Sequence, residues 1–165
     1  MVGGIPFGDC SPTHNPLLQA PVIQEFSGKV VGVKDGDTIV VLHDGKGETI
    51  RLYGVDAPEK KQDFGTKAKQ FVSDLIFNHD VLVKTHGKDR YGRTIGEVFF
   101  NEGQNLNHEI VKYGMGWWYE QYSPHDEDLK KLQNEAQVNK VGLWSMNNPV
   151  PPWNFRKSKK KTNNS

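Results

Sequence analysis

Short β-branched runs broken by Asp-Gly turns fill the first half of the chain, and one-faced helical spacing fills much of the second. Lys29-Val30-Val31-Gly32-Val33-Lys34 predicts a strand, and Asp35-Gly36 a tight turn after it. Thr38 to Leu42 predicts the return strand, Asp44-Gly45 the next turn, and Glu48 to Val55 a third strand. Phe64, Ala68, Phe71, Val72 and Leu75 recur with the period of a helix apolar on one side, and Asp63 is placed to cap it. Val81 to Lys84 and Thr94 to Phe100 predict a fourth and a fifth strand. The polar stretch from His86 to Arg93, with Gly87 and Gly92, predicts a loop between them. Leu106, Ile110 and Tyr113 predict a short helix, capped by Asn105 and stopped by Gly114. Ser123-Pro124 followed by acids predicts the start of a last helix with Leu129, Leu132 and Ala136 on its inner stripe. Gly142-Leu143-Trp144 then returns an apolar Trp to the body.

The expected class is α+β: a five-stranded Greek-key β-barrel of OB-fold type with three α-helices. Periodicity alone leaves it as one of several α+β arrangements. A chain of 165 residues fits one domain with a real core. Residues 1–25, rich in Gly, Pro and Asn, read as a flexible leader without the basic and apolar regions of a secretory signal. Residues 26–146 read as the domain, and 147–165 as a basic, disordered tail. No apolar run approaches the roughly 20 residues that cross a bilayer. The single cysteine, Cys10, excludes an intramolecular disulfide framework and a cysteine-rich zinc site.

The net charge of +1 is unevenly spread. Arg156, Lys157, Lys159, Lys160 and Lys161 lie in a stretch without acids, and without them 16 basic residues face 20 acidic ones. The body is therefore not a polycation that grips nucleic acid by bulk charge. An anionic ligand must be held by a few placed cations or by a metal ion.

Candidate chemistry gathers on Arg51 to Glu59. Pro58 cannot continue a ladder, so the third strand ends near Asp56 and leaves two carboxylates, Asp56 and Glu59, in the closing turn. Asp37 lies at the mouth of the second strand. By itself Asp35-Gly36-Asp37 is ordinary turn chemistry. If the second and third strands pair, Asp37 and Asp56 converge, and two carboxylates in one place repel unless a cation sits between them. An oxygen-only set of this kind suits Ca²⁺ or Mg²⁺, not zinc. Glu59, stiffened by Pro58, is placed to act as general base; the plainer reading makes it an ion-pair partner of Arg51. Arg51 and Arg93 carry charge that is not titrated away, on forks that match phosphate oxygens. Read separately, Asp89-Arg90-Tyr91-Gly92-Arg93 is a charged hairpin. Read together, carboxylates for a hard metal, a base and two arginines are what phosphodiester hydrolysis asks for.

With these blocks in their order, residues 26–146 resemble the staphylococcal (micrococcal, thermonuclease) nuclease family. The resemblance rests on Asp35-Gly36-Asp37-Thr38, Arg51 through Glu59, Asp89 through Arg93, and Gly142-Leu143-Trp144. It implies an OB-fold barrel with three helices, and Ca²⁺-dependent cleavage of DNA and RNA that leaves 3′-phosphate ends. It implies Asp37 and Asp56 as calcium ligands, with Ala57 offering its backbone carbonyl where the best-known member has Thr. It implies Glu59 as the water-orienting base, and Arg51 and Arg93 as phosphate and transition-state cations. Tyr91 matches an aromatic near the nucleotide, beside Arg90. Trp117, Trp118, Tyr119 and Tyr122 offer stacking surface, of which about half is expected to be core. Lys60 to Gly65 is shorter than the mobile loop of the best-known member, so that loop's base contacts do not carry over.

The expected partners are DNA and RNA, single-stranded or locally melted, and the expected state is a monomer. The residues alone leave two locations open, inside the cell or outside it after removal of a signal; the resemblance points to a secreted or cell-envelope location. Two other readings stand beside the nuclease: a non-catalytic nucleic-acid- or protein-binding OB module of the same family, and a small calcium-binding structural domain. Binding modules of the first kind tend to lose the acidic and arginine set, and the second needs no arginines; here all five residues are present.

Overall fold

The structure, a computed structural model, describes Gly3 and residues 24–164. What the sequence suggests for residues 4–23, Cys10 included, lies outside the described residues.

A long first strand, β1 (Glu25–Asp35), organises the barrel. Its first half pairs antiparallel with β5 (Asp80–Lys88), from Glu25↔Lys84 to Lys29↔Asp80. Its second half pairs with β2 (Thr38–His43), from Val30↔Val41 to Asp35↔Thr38. Register shifts within the β1–β2 ladder bend the strand, and the bend lets one strand serve two neighbours. β2 returns into β3 (Lys46–Leu52) through Asp44-Gly45, both at positive φ, as a two-residue hairpin of matching twist requires. β3 then pairs parallel with β6 (Thr94–Phe100), Ile50↔Thr94 through Leu52↔Gly96, and closes the five-stranded barrel. Val30, Ile39, Val41, Ile50, Val83 and Val98 fill it. Each such side chain, fully buried, stabilises by roughly 1.5–3 kcal/mol.

Three helices of the expected set are present: α1 (Gly65–Ile76), α2 (Leu106–Lys112) and α3 (Glu127–Val138). α1 buries Ala68, Val72 and Ile76, in the predicted period. α2 is capped by Asn105, whose side chain accepts from the His108 N–H, and Gly114 at φ 65° follows it. Buried Asn107 ties α2 to the barrel: its side chain accepts from the Val98 N–H and donates to the Tyr53 and Gly96 carbonyls. Two short strands complete the pairing: β4 (Val55–Asp56) meets β8 (Trp117–Trp118), and β7 (Gln104–Asn105) extends β6.

Several boundaries differ from the expectation. The third strand breaks at Gly54, which turns at φ 72° and pushes Val55–Asp56 onto β8. His86 to Lys88 belong to β5 rather than to a loop. Asp63 does not cap α1; Phe64 takes that position in the left-handed region, without a side-chain cap. α3 starts at Glu127 with Asp126 as its cap, and Ser123 instead accepts from the indole N–H of Trp118. The largest correction concerns residues 147–165. Pro152–Asn163 forms a further helix, α4, so the described residues form four α-helices rather than three, and that span is helical rather than a disordered tail. Pro152, at the first position where its missing N–H costs nothing, is buried; Trp153 docks on Trp117 and Tyr119. The Lys run hid these anchors because their partners lie far upstream in the chain.

Candidate active site

The carboxylates meet because two tight turns are pressed together. β2–β3 register sets Thr38 opposite Arg51, which brings Asp37 beside the Arg51 side chain. Gly36 permits this approach: a Cβ there would lie 2.7 Å from the Ala68 Cβ and 2.9 Å from that of Ala57. Asp37 accepts from the Ala57 N–H at 2.8 Å and from the Thr38 hydroxyl at 3.0 Å. Asp56 ends β4 with its side chain only 1% exposed, and that of Asp37 is 10% exposed.

Arg51 joins them. Its Nη1 donates to the Leu52 and Val55 carbonyls at 2.9 and 2.6 Å, which fixes the fork. Its Nη2 then lies 3.4 Å from Asp56 and 3.5 Å from Asp37, so one nitrogen reaches both carboxylates. The expected convergence of Asp37 and Asp56 beside Arg51 is therefore present.

Glu59 follows on a compact turn. Its N–H donates to the Gln62 side chain at 2.9 Å, and Gln62 N–H returns to the Glu59 carbonyl at 2.8 Å. The start of α1 packs directly on it: a Cβ at Gly65 would fall 2.1 Å from the Glu59 carbonyl oxygen. Glu59 pairs not with Arg51 but with Arg156 of α4, at 2.8 Å. The same guanidinium takes both oxygens of Asp56, at 3.1 and 2.7 Å. Arg156 was missed by sequence reasoning, which placed it in a solvated tail. Pro151-Pro152-Trp153, an aromatic behind a helix-starting Pro, was the available signal.

Arg93 is not brought to the carboxylates by any hydrogen bond or ion pair among the described residues. Its Nε donates to Asp89 at 2.7 Å within its own hairpin. Tyr91, 69% exposed, lies between Arg90 and Arg93, with their guanidinium carbons 4.9 and 5.6 Å from its ring centre. Arg90, Tyr91 and Arg93 thus form one exposed cationic-aromatic tip. Tyr119 and Tyr122 contact each other at 4.7 Å, Tyr122 exposed and Tyr119 stacked on Trp153 at 5.4 Å. Trp117 meets Trp144 and Trp153 edge-on, whereas Trp118 is core.

Burial opposes charge throughout the cluster, and neighbours decide the outcome. Burial pushes Asp37 up, but the Arg51 charge and hydrogen bonds from Asp35, Ala57 and Thr38 outweigh it and hold its carboxyl below the usual range. Asp35, beside it, is pushed up to about 7 by burial and by sharing a hydrogen bond with Asp37. Burial also pushes Asp56 up, against the hydrogen bonds of Arg156 and the charge of Arg51.

The donor chemistry fits a hard cation: two carboxylates from Asp37 and Asp56, with the Ala57 backbone held against Asp37 and no nitrogen or sulfur donor in the set. The two guanidinium groups offset part of the negative charge that such a cation would meet. A second candidate group lies elsewhere among the described residues: ligand atoms of His108, Asp126 and Asp128 lie within 4.8 Å of one another, where Asp126 already caps α3.

The closed five-stranded barrel presents clustered carboxylates and guanidinium groups at its strand ends, an arrangement suited to an anionic ligand or a hard cation. Residues 49–146 match the model of the family described as staphylococcal nuclease homologues. A protein of Escherichia coli described as an uncharacterized endonuclease is 46% identical over 144 residues, covering 87% of this chain and 94% of its own length. A micrococcal nuclease of Shigella flexneri is 38% identical over 157 residues, 90% of each chain. The staphylococcal-like nuclease CAN1 of Arabidopsis thaliana is 37% identical over 111 residues, 67% of this chain and 34% of that one. The chain belongs to the staphylococcal nuclease family.

Proposed function

We propose that the protein is a Ca²⁺-dependent, sugar-nonspecific nuclease that hydrolyses phosphodiester bonds of DNA and RNA and leaves 3′-phosphate ends. Nuclease activity as such follows from family membership and from relatives described as endonuclease and micrococcal nuclease. The observation that carries the finer reading is the single Arg51 nitrogen shared by Asp37 and Asp56, with Glu59 one turn away.

In this reading Asp37, Asp56 and the Ala57 carbonyl hold the ion. Bound there, Ca²⁺ would supply positive charge for the phosphate and lower the proton affinity of water. Glu59 accepts the proton of that water as its oxygen bonds to phosphorus and the P–O5′ bond breaks, the leaving 5′ oxygen taking a proton from solvent; Glu59 acts from a backbone turn fixed by Gln62 and Gly65. Arg51, its fork held on the Leu52 and Val55 carbonyls and the two carboxylates, adds a fixed positive charge near the phosphate oxygens, where charge grows in the transition state. Arg93 adds a second guanidinium from its hairpin, and Arg90, Tyr91, Tyr119 and Tyr122 offer charge and ring faces to flanking phosphates and bases. Bases reach ring faces most readily when unpaired, which supports a preference for single-stranded or melted substrate.

The test is direct. Plasmid DNA and RNA are incubated with the protein and Ca²⁺, Mg²⁺ or chelator, and product ends are labelled with and without prior phosphatase. Cleavage with Ca²⁺ that chelator abolishes, with 3′ ends blocked until dephosphorylated, is expected. Binding without cleavage under every condition returns the non-catalytic OB module.

A further inference from the structure

We propose that Arg156 is a built-in counter-cation of this site: it holds the Glu59 carboxylate in position and competes with the divalent ion for Asp56. The proposal rests on the nuclease reading above. Three observations carry it.

First, α4 is anchored rather than draped. Pro152 is buried, Trp153 packs on Trp117 and Tyr119, and the Gln62 side chain donates to the Val150 carbonyl at 2.8 Å. Gln62 belongs to the turn that carries Glu59, so the anchor of α4 and the position of Glu59 are physically linked.

Second, the contact uses the whole fork. Nη1 bridges Asp56 Oδ1 and Glu59 Oε1, and Nη2 takes Asp56 Oδ2. An ion that needs an Asp56 oxygen must displace an N–H donor from it. The apparent affinity for that ion falls by the fraction of time the pair is open. Meanwhile Glu59 loses rotamer freedom to the same guanidinium and waits in one place.

Third, the charges around it leave a net negative cluster. Asp37, Asp56 and Glu59 face Arg51 and Arg156, three negative groups against two positive. Without Arg156 the cluster is one unit more negative and binds a dication more tightly, because charge count tunes affinity in oxygen sites.

The experiment is a calorimetric Ca²⁺ titration of the full chain without nucleic acid, beside turnover at saturating Ca²⁺, for the parent, Arg156→Gln and Arg156→Lys. Arg156→Gln is expected to bind Ca²⁺ about tenfold more tightly and to turn over about tenfold more slowly. Arg156→Lys keeps the charge but not the fork, and falls between the two on both readings. A helix that merely braces the fold predicts the opposite for the metal: its loss weakens Ca²⁺ binding. Equal or weaker Ca²⁺ binding by Arg156→Gln, or unchanged turnover, overturns the proposal. If Arg156→Gln does not fold, Arg156→Lys is judged by the same two criteria. A parent that binds Ca²⁺ and cleaves, with variants equal to it, refutes only the role of Arg156. A parent that binds no Ca²⁺ refutes the calcium reading and this proposal together.

Discussion

Arg51→Met removes the guanidinium and keeps most of the stem, so it isolates what the fork contributes. Two losses follow. The Leu52 and Val55 carbonyls lose a charged donor, and the side chains of both residues are buried in the core. Asp37 and Asp56 lose the nitrogen they share, although Arg156 still serves Asp56. A buried carbonyl left without a donor costs about 1–3 kcal/mol. Breaking a buried ion pair by deleting one partner costs about 3–5 kcal/mol. The terms overlap, so the expected loss is about 3–5 kcal/mol, against a total of roughly 5–15 kcal/mol for a domain. Urea unfolding in chelator measures it. Repeating the measurement with Ca²⁺ separates the two parts, since an ion between the carboxylates replaces the missing charge but donates nothing to the carbonyls. Calcium is expected to narrow the gap to about 2 kcal/mol without closing it. A loss below about 1 kcal/mol in chelator, or a gap that calcium leaves unaltered, would refute the assignment of Arg51 to both tasks.

Glu59→Gln should lower DNA hydrolysis by about 100-fold or more and, with one negative charge fewer beside Arg156, weaken Ca²⁺ binding; equal turnover at saturating Ca²⁺ removes Glu59 from proton transfer. Gly65→Ala places a methyl against the Glu59 carbonyl, so unfolding at lower urea and slower turnover are expected together; a drop in stability with unchanged turnover would show that the turn does not position Glu59. Burial works against the charge of Glu48, but hydrogen bonds from Thr94 and His43 outweigh it and hold its carboxyl below the ordinary 4.5. Its contribution is therefore full above pH 4.5 and fades as pH falls, so the stability difference between parent and Glu48→Gln should shrink on acidification. A difference that is flat with pH would deny the Glu48–Thr94 bond, 2.6 Å long, a role in fastening β3 to β6.

The barrel was legible because its signals are local. Asp44-Gly45 turns the chain at positive φ, Val30, Ile39, Val41 and Ile50 point inward as their alternation requires, and Asn105 caps α2 as its position predicts. Asp37 and Arg51 were legible for a similar reason, since one hairpin register sets Thr38 opposite Arg51; Asp56 joins them only through the Gly54 turn and its pairing with Trp117. What stayed hidden depends on contacts across long separations. Arg156 lies 100 residues from Asp56, and nothing in Arg-Lys-Ser-Lys-Lys-Lys distinguishes a docked guanidinium from a solvated one. Ser123 and Asp126 both suit a helix start, and the choice fell to Asp126 because the Trp118 indole claims Ser123. Asp63 has the right chemistry for a cap, but the close packing of Glu59 on Gly65 forces Phe64 into the left-handed position and moves the helix entry past it.

The aromatic cluster gives the molecule an optical reporter of its own. Trp117, Trp144 and Trp153 touch in series, two from the body and one from α4, while Trp118 sits apart in the core. Excitation shared across that trio depends on ring separations of 4.4 and 5.5 Å. Any departure of α4 from the carboxylates exposes an indole to water, so emission should redden and dim in step with the opening of the site, without a dye or a label.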